Sequence, residues 1–198
     1  MASTIAKSGV TVVLFLVLCN ALSCSTHQNL AIHQSDALSV MLREMPAGYP
    51  LLEPYHHSYA IDAKDISDIL NSLSYESGSL LPLSGKQRHH VFTEHQATRL
   101  GPVLSNALRL ALPQEVVAFS VADAEKSHRR TKGLLFVLGD DLHLIIEEMQ
   151  KPVYQGETST YQQEVLRWEL HPSDKQRHYA RRPEGKGSIT NWIITPLR

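Results

Sequence analysis

Eleven histidines are the largest chemical resource in the chain. Imidazole is the commonest metal ligand and the usual general base near neutral pH, so spacing decides whether the sequence encodes a site. Two histidines four residues apart on a helix would converge on one ion, and no pair here has that spacing. His56 and His57 point to opposite sides if their segment is a strand. His89, His90 and His95 straddle the start of a helix and are the weak candidates for a metal, but no metal site is assigned. There is no Gly-x-Ser-x-Gly elbow, so no nucleophile and base are assigned either. Ser84, Gly85 and Lys86 look superficially like a phosphate loop, but six residues rather than four separate Gly78 from Gly85, and Gln87 stands where Ser or Thr is required. Gly139, Asp140 and Asp141 read as a hairpin turn rather than a cation loop, because strand-like runs flank them on both sides. No catalytic residue and no cofactor are expected.

Two basic clusters offer a different chemistry. Lys126, Arg129, Arg130 and Lys132 surround His128, and Lys175, Arg177, Arg181, Arg182 and Lys186 surround His178 and Tyr179. Arg129, Arg130, Lys132, Arg177, Arg181 and Arg182 are the candidates for contact with an anionic partner. Nineteen Lys and Arg against twenty Asp and Glu give a formal charge of -1, which argues against a nucleic-acid binder.

The N-terminus says where such a partner would be met. Lys7 precedes an unbroken apolar run, Val10 to Leu18, and a small-residue stretch ending at Ser23, the layout of a secretory signal. The run is less than half of the roughly 20 residues that a spanning helix needs. Ala21 and Ser23 stand at -3 and -1 of a cut that leaves Cys24 first, and Cys19 lies in the part removed. A single remaining cysteine has no disulfide partner, whereas acylation would explain its position. Ala21, Leu22, Ser23, Cys24 resembles the lipobox of bacterial lipoproteins, with Leu one place late. The resemblance covers only the first two dozen residues. It implies lipidation at Cys24 and, since Ser25 follows, an outer-membrane address facing the periplasm; the alternative is a soluble periplasmic protein.

Cutting 23 of the 198 residues leaves 175, room for one domain. Polar Ser25 to Asp36 reads as a tether. Leu38, Met41, Leu42 and Met45 recur at helical spacing, so a short helix is expected over Ala37 to Met45, before an extended Pro46 to Pro54. Tyr55 to Ile61 alternates like a strand. Asp62 starts a helix with Ile66, Ile69, Leu70 and Leu73 on one stripe, and Thr93 with Gln96 forms a capping box for a second. Pro102 should kink or restart that helix. Strands are expected over Val116 to Val121, Gly133 to Leu138, Leu142 to Ile146, Val165 to Leu170 and Trp192 to Thr195.

Helices first and strands afterwards predict an α+β fold, two or three helices packed on one face of a mainly antiparallel sheet with a central hairpin near 133–147. The domain plan is a signal over 1–23, a tether, short helix and Pro-rich segment over 24–54, and one domain with a basic C-terminal segment over 55–198. The functional expectation is a lipid-anchored envelope protein, a non-catalytic binding or assembly module for another envelope protein or an anionic surface polymer. The alternative is a periplasmic enzyme, metal-dependent or hydrolytic, that uses a histidine cluster.

Overall fold

The computed structural model describes residues 29–50, 52–77, 87–153, 168–181 and 188–198. Its elements run β1 (Leu30–Gln34), β2 (Leu38–Glu44), α1 (Ala63–Ser72), β3 (Ser74–Ser77), β4 (Gln87–His90), α2 (Glu94–Leu110), β5 (Glu115–Ala122), β6 (Arg129–Leu138), β7 (Asp141–Pro152), β8 (Trp168–His171), β9 (Arg177–Arg181) and β10 (Ser188–Pro196). Seven strands form an antiparallel sheet in the order β1-β2-β5-β6-β7-β10-β9, and β4-β3-β8 form a second.

This overturns the α+β expectation. Among the described residues strand takes 47% and helix 20%, with two helices, so the fold is β-rich. The error has a local cause. Leu38, Met41, Leu42 and Met45 satisfy a helical period, but Leu38, Val40 and Leu42 satisfy period two equally well, and these three are buried along β2. Pairing with β5 from Leu38↔Val121 to Glu44↔Glu115 selects the strand, because tertiary partners override a short ambiguous pattern. β1 lies in the segment read as a tether, and as the sheet edge it tolerates polar residues. β4 lies between the two helices, where no strand is expected.

The helices form where their caps start them. Asp62 accepts a hydrogen bond from the Lys64 amide at 2.8 Å. Thr93 and Gln96 cap α2 reciprocally. Pro102 neither splits nor restarts α2, which continues to Leu110; the ring sits on the exposed face. Gly101, one residue earlier, is where the helices cross. A Cβ there would lie 2.1 Å from Ser67 Oγ and 2.6 Å from Ala63 O. Among the described residues, no helix is long and apolar enough to cross a membrane.

Both faces of the large sheet are apolar. Leu38, Val40, Leu42, Val117, Phe119, Leu135, Val137, Leu144 and Ile193 pack beneath Ile66, Leu70, Leu100, Leu104 and Leu108 of the helices. The other face carries Ala118, Leu134, Phe136, Ile145, Trp192 and Ile194, covered by Met45, Tyr49, Leu52 and Tyr55 of the segment after β2. That segment has cis peptide bonds at Glu53-Pro54 and His57-Ser58 and forms no strand where Tyr55 to Ile61 alternates. β6 and β7 meet across a two-residue turn, Leu138↔Asp141, with Gly139 at φ +65. A left-handed residue is what such a turn demands and what glycine supplies at low cost.

Candidate functional site

β6 splits the first basic cluster. Side chains alternate along a strand, so Arg129 and Thr131 turn to the helix side while Arg130 and Lys132 turn away. Arg130 donates to the Asp36 carbonyl, and Lys132 Nζ lies 2.7 Å from Glu148 Oε2. Both cations therefore have local partners. Arg177 of the second cluster pairs with Asp141 at 2.6 Å, beside the β6–β7 turn. Arg129 faces Pro152 at the opposite end of that hairpin, nine residue steps and about 30 Å from Leu138 at roughly 3.4 Å per residue. Arg129 and Arg177 therefore do not share one basic surface. Arg181 ends β9; its side chain, Arg182, Cys24 and the 1–23 segment lie outside the described residues.

Arg129 itself lines a cleft of about 690 Å³ at the amino end of α2. Thr93, Glu94 and Gln96 of the helix start form one wall, His90 of β4 and Asn71 of α1 a second, and Asp123 to Lys126 of the β5–β6 connection a third. Local hydrogen bonding builds this last wall. Asp123 Oδ1 accepts from the Glu125 and Lys126 amides at 2.9 and 2.8 Å, an Asx-type turn that commits that oxygen to the loop. Gln96 Nε2 donates to Ala122 O at 2.7 Å and ties helix to connection. At the floor, Gln150 sits in the left-handed region at φ +46, where the β6–β7 register slips, and donates from its amide to Thr131 Oγ1 at 3.3 Å. A non-glycine residue held there is backbone strain of the kind that collects at binding sites.

Arg129 Nε is buried in this cleft and has no hydrogen-bond partner among the described residues. An uncompensated buried donor on a cation is costly, and an anion in the cleft would satisfy it. Lys126 stands at the exposed rim on the same side, with Glu94 and Glu125.

The histidine trio does not converge. His90 Nδ1 lies 3.2 Å from Asn71 O, His89 packs against the Tyr75 ring at 5.6 Å, and His95 is exposed on α2. Among the described residues no group of His, Cys, Asp and Glu has metal-holding geometry. Asp140 lies in the turn and Asp141 opens β7, paired with Arg198 and Arg177 respectively.

Two histidines outside the weak metal set are the perturbed ones. His143, 4% exposed, stacks on Phe136 at 4.9 Å and its Nδ1 accepts from Trp192 Nε1 at 3.2 Å. Burial pushes its pKa down to about 4; Asp141 opposes the shift and Arg177 adds to it. His57 Nε2 accepts from the Val137 amide at 3.1 Å. Burial likewise pushes it down to about 4, with the Leu112 and Glu115 backbone pulling upward and His56 downward. Its Nδ1 lies by that backbone without a well-formed hydrogen bond. The signal for His143 was its place inside the apolar run Leu142 to Ile146.

Comparison with protein-family models, curated proteins and solved structures returns no match.

Proposed function

We propose that this chain is an exported cell-envelope protein, held at a membrane by a lipid on Cys24, that works as a binding module for an anionic surface polymer rather than as an enzyme. The Ala21 to Cys24 sequence and the single cysteine left after the cut support the anchor. β1 begins at Leu30, six residues beyond Cys24. At a maximum of about 3.5 Å per residue the lipid lies within ~20 Å of the sheet edge, close enough for the domain to face surface polymers directly.

The observation that carries the binding assignment is Arg129, a cation without an ion-pair partner among the described residues and with a buried unpaired Nε, in a cleft of about 690 Å³. Guanidinium recognises carboxylate and phosphate through paired N–H groups. Arg130, Lys132 and Arg177 are already occupied by protein partners, which supports Arg129 among the four candidates whose side chains are described.

Titration of the purified protein with a polyuronic acid, followed by calorimetry, tests this. Losing a charged hydrogen bond removes about 1.5–3 kcal/mol, so Arg129→Gln should weaken binding by roughly 10- to 100-fold while Arg177→Gln leaves it unchanged. Equal affinity of wild type and Arg129→Gln would refute the assignment.

A further inference from the structure

The chain from Leu52 to Ile61 runs from the sheet face that carries Phe136 and Trp192, where Leu52 and Tyr55 pack, to the helix side, where Tyr59 and Ile61 pack. Tyr55 N donates to Pro113 O at 2.7 Å, His56 N to Val137 O at 2.9 Å and Tyr59 N to Leu108 O at 3.1 Å. Ser105 Oγ holds the far end by donating to Ile61 O at 2.6 Å. Tyr49 meets Trp192 edge-on at 6.2 Å, and Tyr55 lies 4.7 Å from Phe136. One fastening differs in kind from the rest. β5 begins at Glu115 and pairs with β6 only as far as Leu135, so Val137 extends past it. The strap covers that edge, and the acceptor it offers the Val137 amide is the His57 imidazole, where a further strand would offer a carbonyl.

We infer that the Leu52–Ile61 segment is an acid-released strap whose latch is His57. Accepting from Val137 requires the Nε2 lone pair, so the ring proton is on Nδ1. A solvent proton added to Nε2 consumes that lone pair, sets an N–H against the Val137 N–H, and places a cation in a half-buried site. Each change disfavours the closed strap and none disfavours the open one.

The groups around the latch act in known directions. From the strap itself come Tyr55, whose ring centre is 5.8 Å away, and His56, whose charge opposes protonation. Glu53 acts on Tyr55, whose pKa is pushed up to about 12 by burial first and by Glu53 second. From the start of β5 comes Glu115, 1% exposed, whose Oε2 accepts from Leu112 N at 2.9 Å. β6 contributes Val137 and Phe136, and His143 of β7 stacks on the far side of Phe136. With the latched ring protonating near 4 and a released ring near 6.5, the open-to-closed ratio rises as pH falls through that window. The full 2.5-unit difference corresponds to about 300-fold.

Amide hydrogen exchange, corrected for intrinsic rates, reads this at Val137 and His56. Between pH 7 and pH 4 the wild type should lose about 100- to 300-fold in protection there, while Ala118 and Leu134 within the β5–β6 ladder stay protected. His57→Gln supplies an amide oxygen that accepts but does not titrate, and should abolish the loss; His143→Gln should retain it. The inference is overturned if His57→Gln opens over the same window, or if Val137 and the β5–β6 ladder open together. An NMR titration of wild-type His57 gives an independent reading: protonation near 6.5 with Val137 still protected overturns the latch.

Discussion

Replacing His143 by Phe should flatten the acid limb of the stability curve. His143 is neutral in the fold and titrates near 4, against about 6.5 in the unfolded chain. The unfolded state therefore binds more protons between these values. The stabilising effect of keeping the ring neutral is complete above pH 6.5 and is lost as pH falls toward 4. Linkage gives about 2 kcal/mol lost by pH 5 and about 3 kcal/mol by pH 4. The phenyl ring of His143→Phe would keep the stack on Phe136 but leave Trp192 Nε1, which now donates to His143 at 3.2 Å, without its acceptor. The variant should thus be about 1–3 kcal/mol less stable at pH 7. It should recover much of that relative deficit at pH 5. Urea denaturation followed by far-UV circular dichroism measures both. With a slope of about 2 kcal/mol per molar, the wild-type midpoint should fall by about 1 M more than the variant's between pH 7 and pH 5. Parallel midpoints over that range would refute the reasoning.

Three further expectations concern the frame of the fold. Gly101→Ala would place a methyl 2.6 Å from the Ala63 carbonyl, so overpacking of about 1–3 kcal/mol should outweigh the helix-propensity gain of about 1 kcal/mol. Calorimetry should show a lower melting temperature, and adding Ser67→Ala should restore only part because the backbone contact remains. Thr93→Ala removes one arm of the capping box at the cleft wall and should cost about 1 kcal/mol, read as a lower urea midpoint. Gly139→Val forces a β-branched residue to φ +65 and should lower the midpoint by more than Asp140→Val, its neighbour in the same turn.

Much of the framework was legible because its signals are local. Thr93 and Gln96 announce α2 three residues apart, and Gly139 with Asp140 announces the β6–β7 turn, since caps and turns are satisfied by neighbours in sequence. The β-rich character was not legible, because it depends on pairings that short segments do not encode alone. Leu38, Val40 and Leu42 become a strand only once β5 is beside them, and Leu30 to Gln34 is too short and weakly patterned, amid polar flanks, to mark a strand until it forms the sheet edge. Pro102 does not restart α2: its ring falls on the exposed side while Leu100, Gly101 and Leu104 hold the helix in the core. In the candidate site, Arg129 was visible as one of several cations, but only the structure separates it from Arg130, Lys132 and Arg177, whose side chains bond to the Asp36 carbonyl, Glu148 and Asp141. His57 and His143 were visible as histidines and not as perturbed ones, because burial and the Val137 and Trp192 donors come from tertiary contacts.

Intact-mass spectrometry of the protein isolated from the envelope tests the central claim most directly. The account requires a chain that begins at Cys24 and carries the added mass of its acyl groups, with the Cys24→Ala variant lacking that mass and leaving the membrane fraction. A wild-type chain that retains residues 1–23, or that begins after Ser23 with an unmodified thiol, would contradict it.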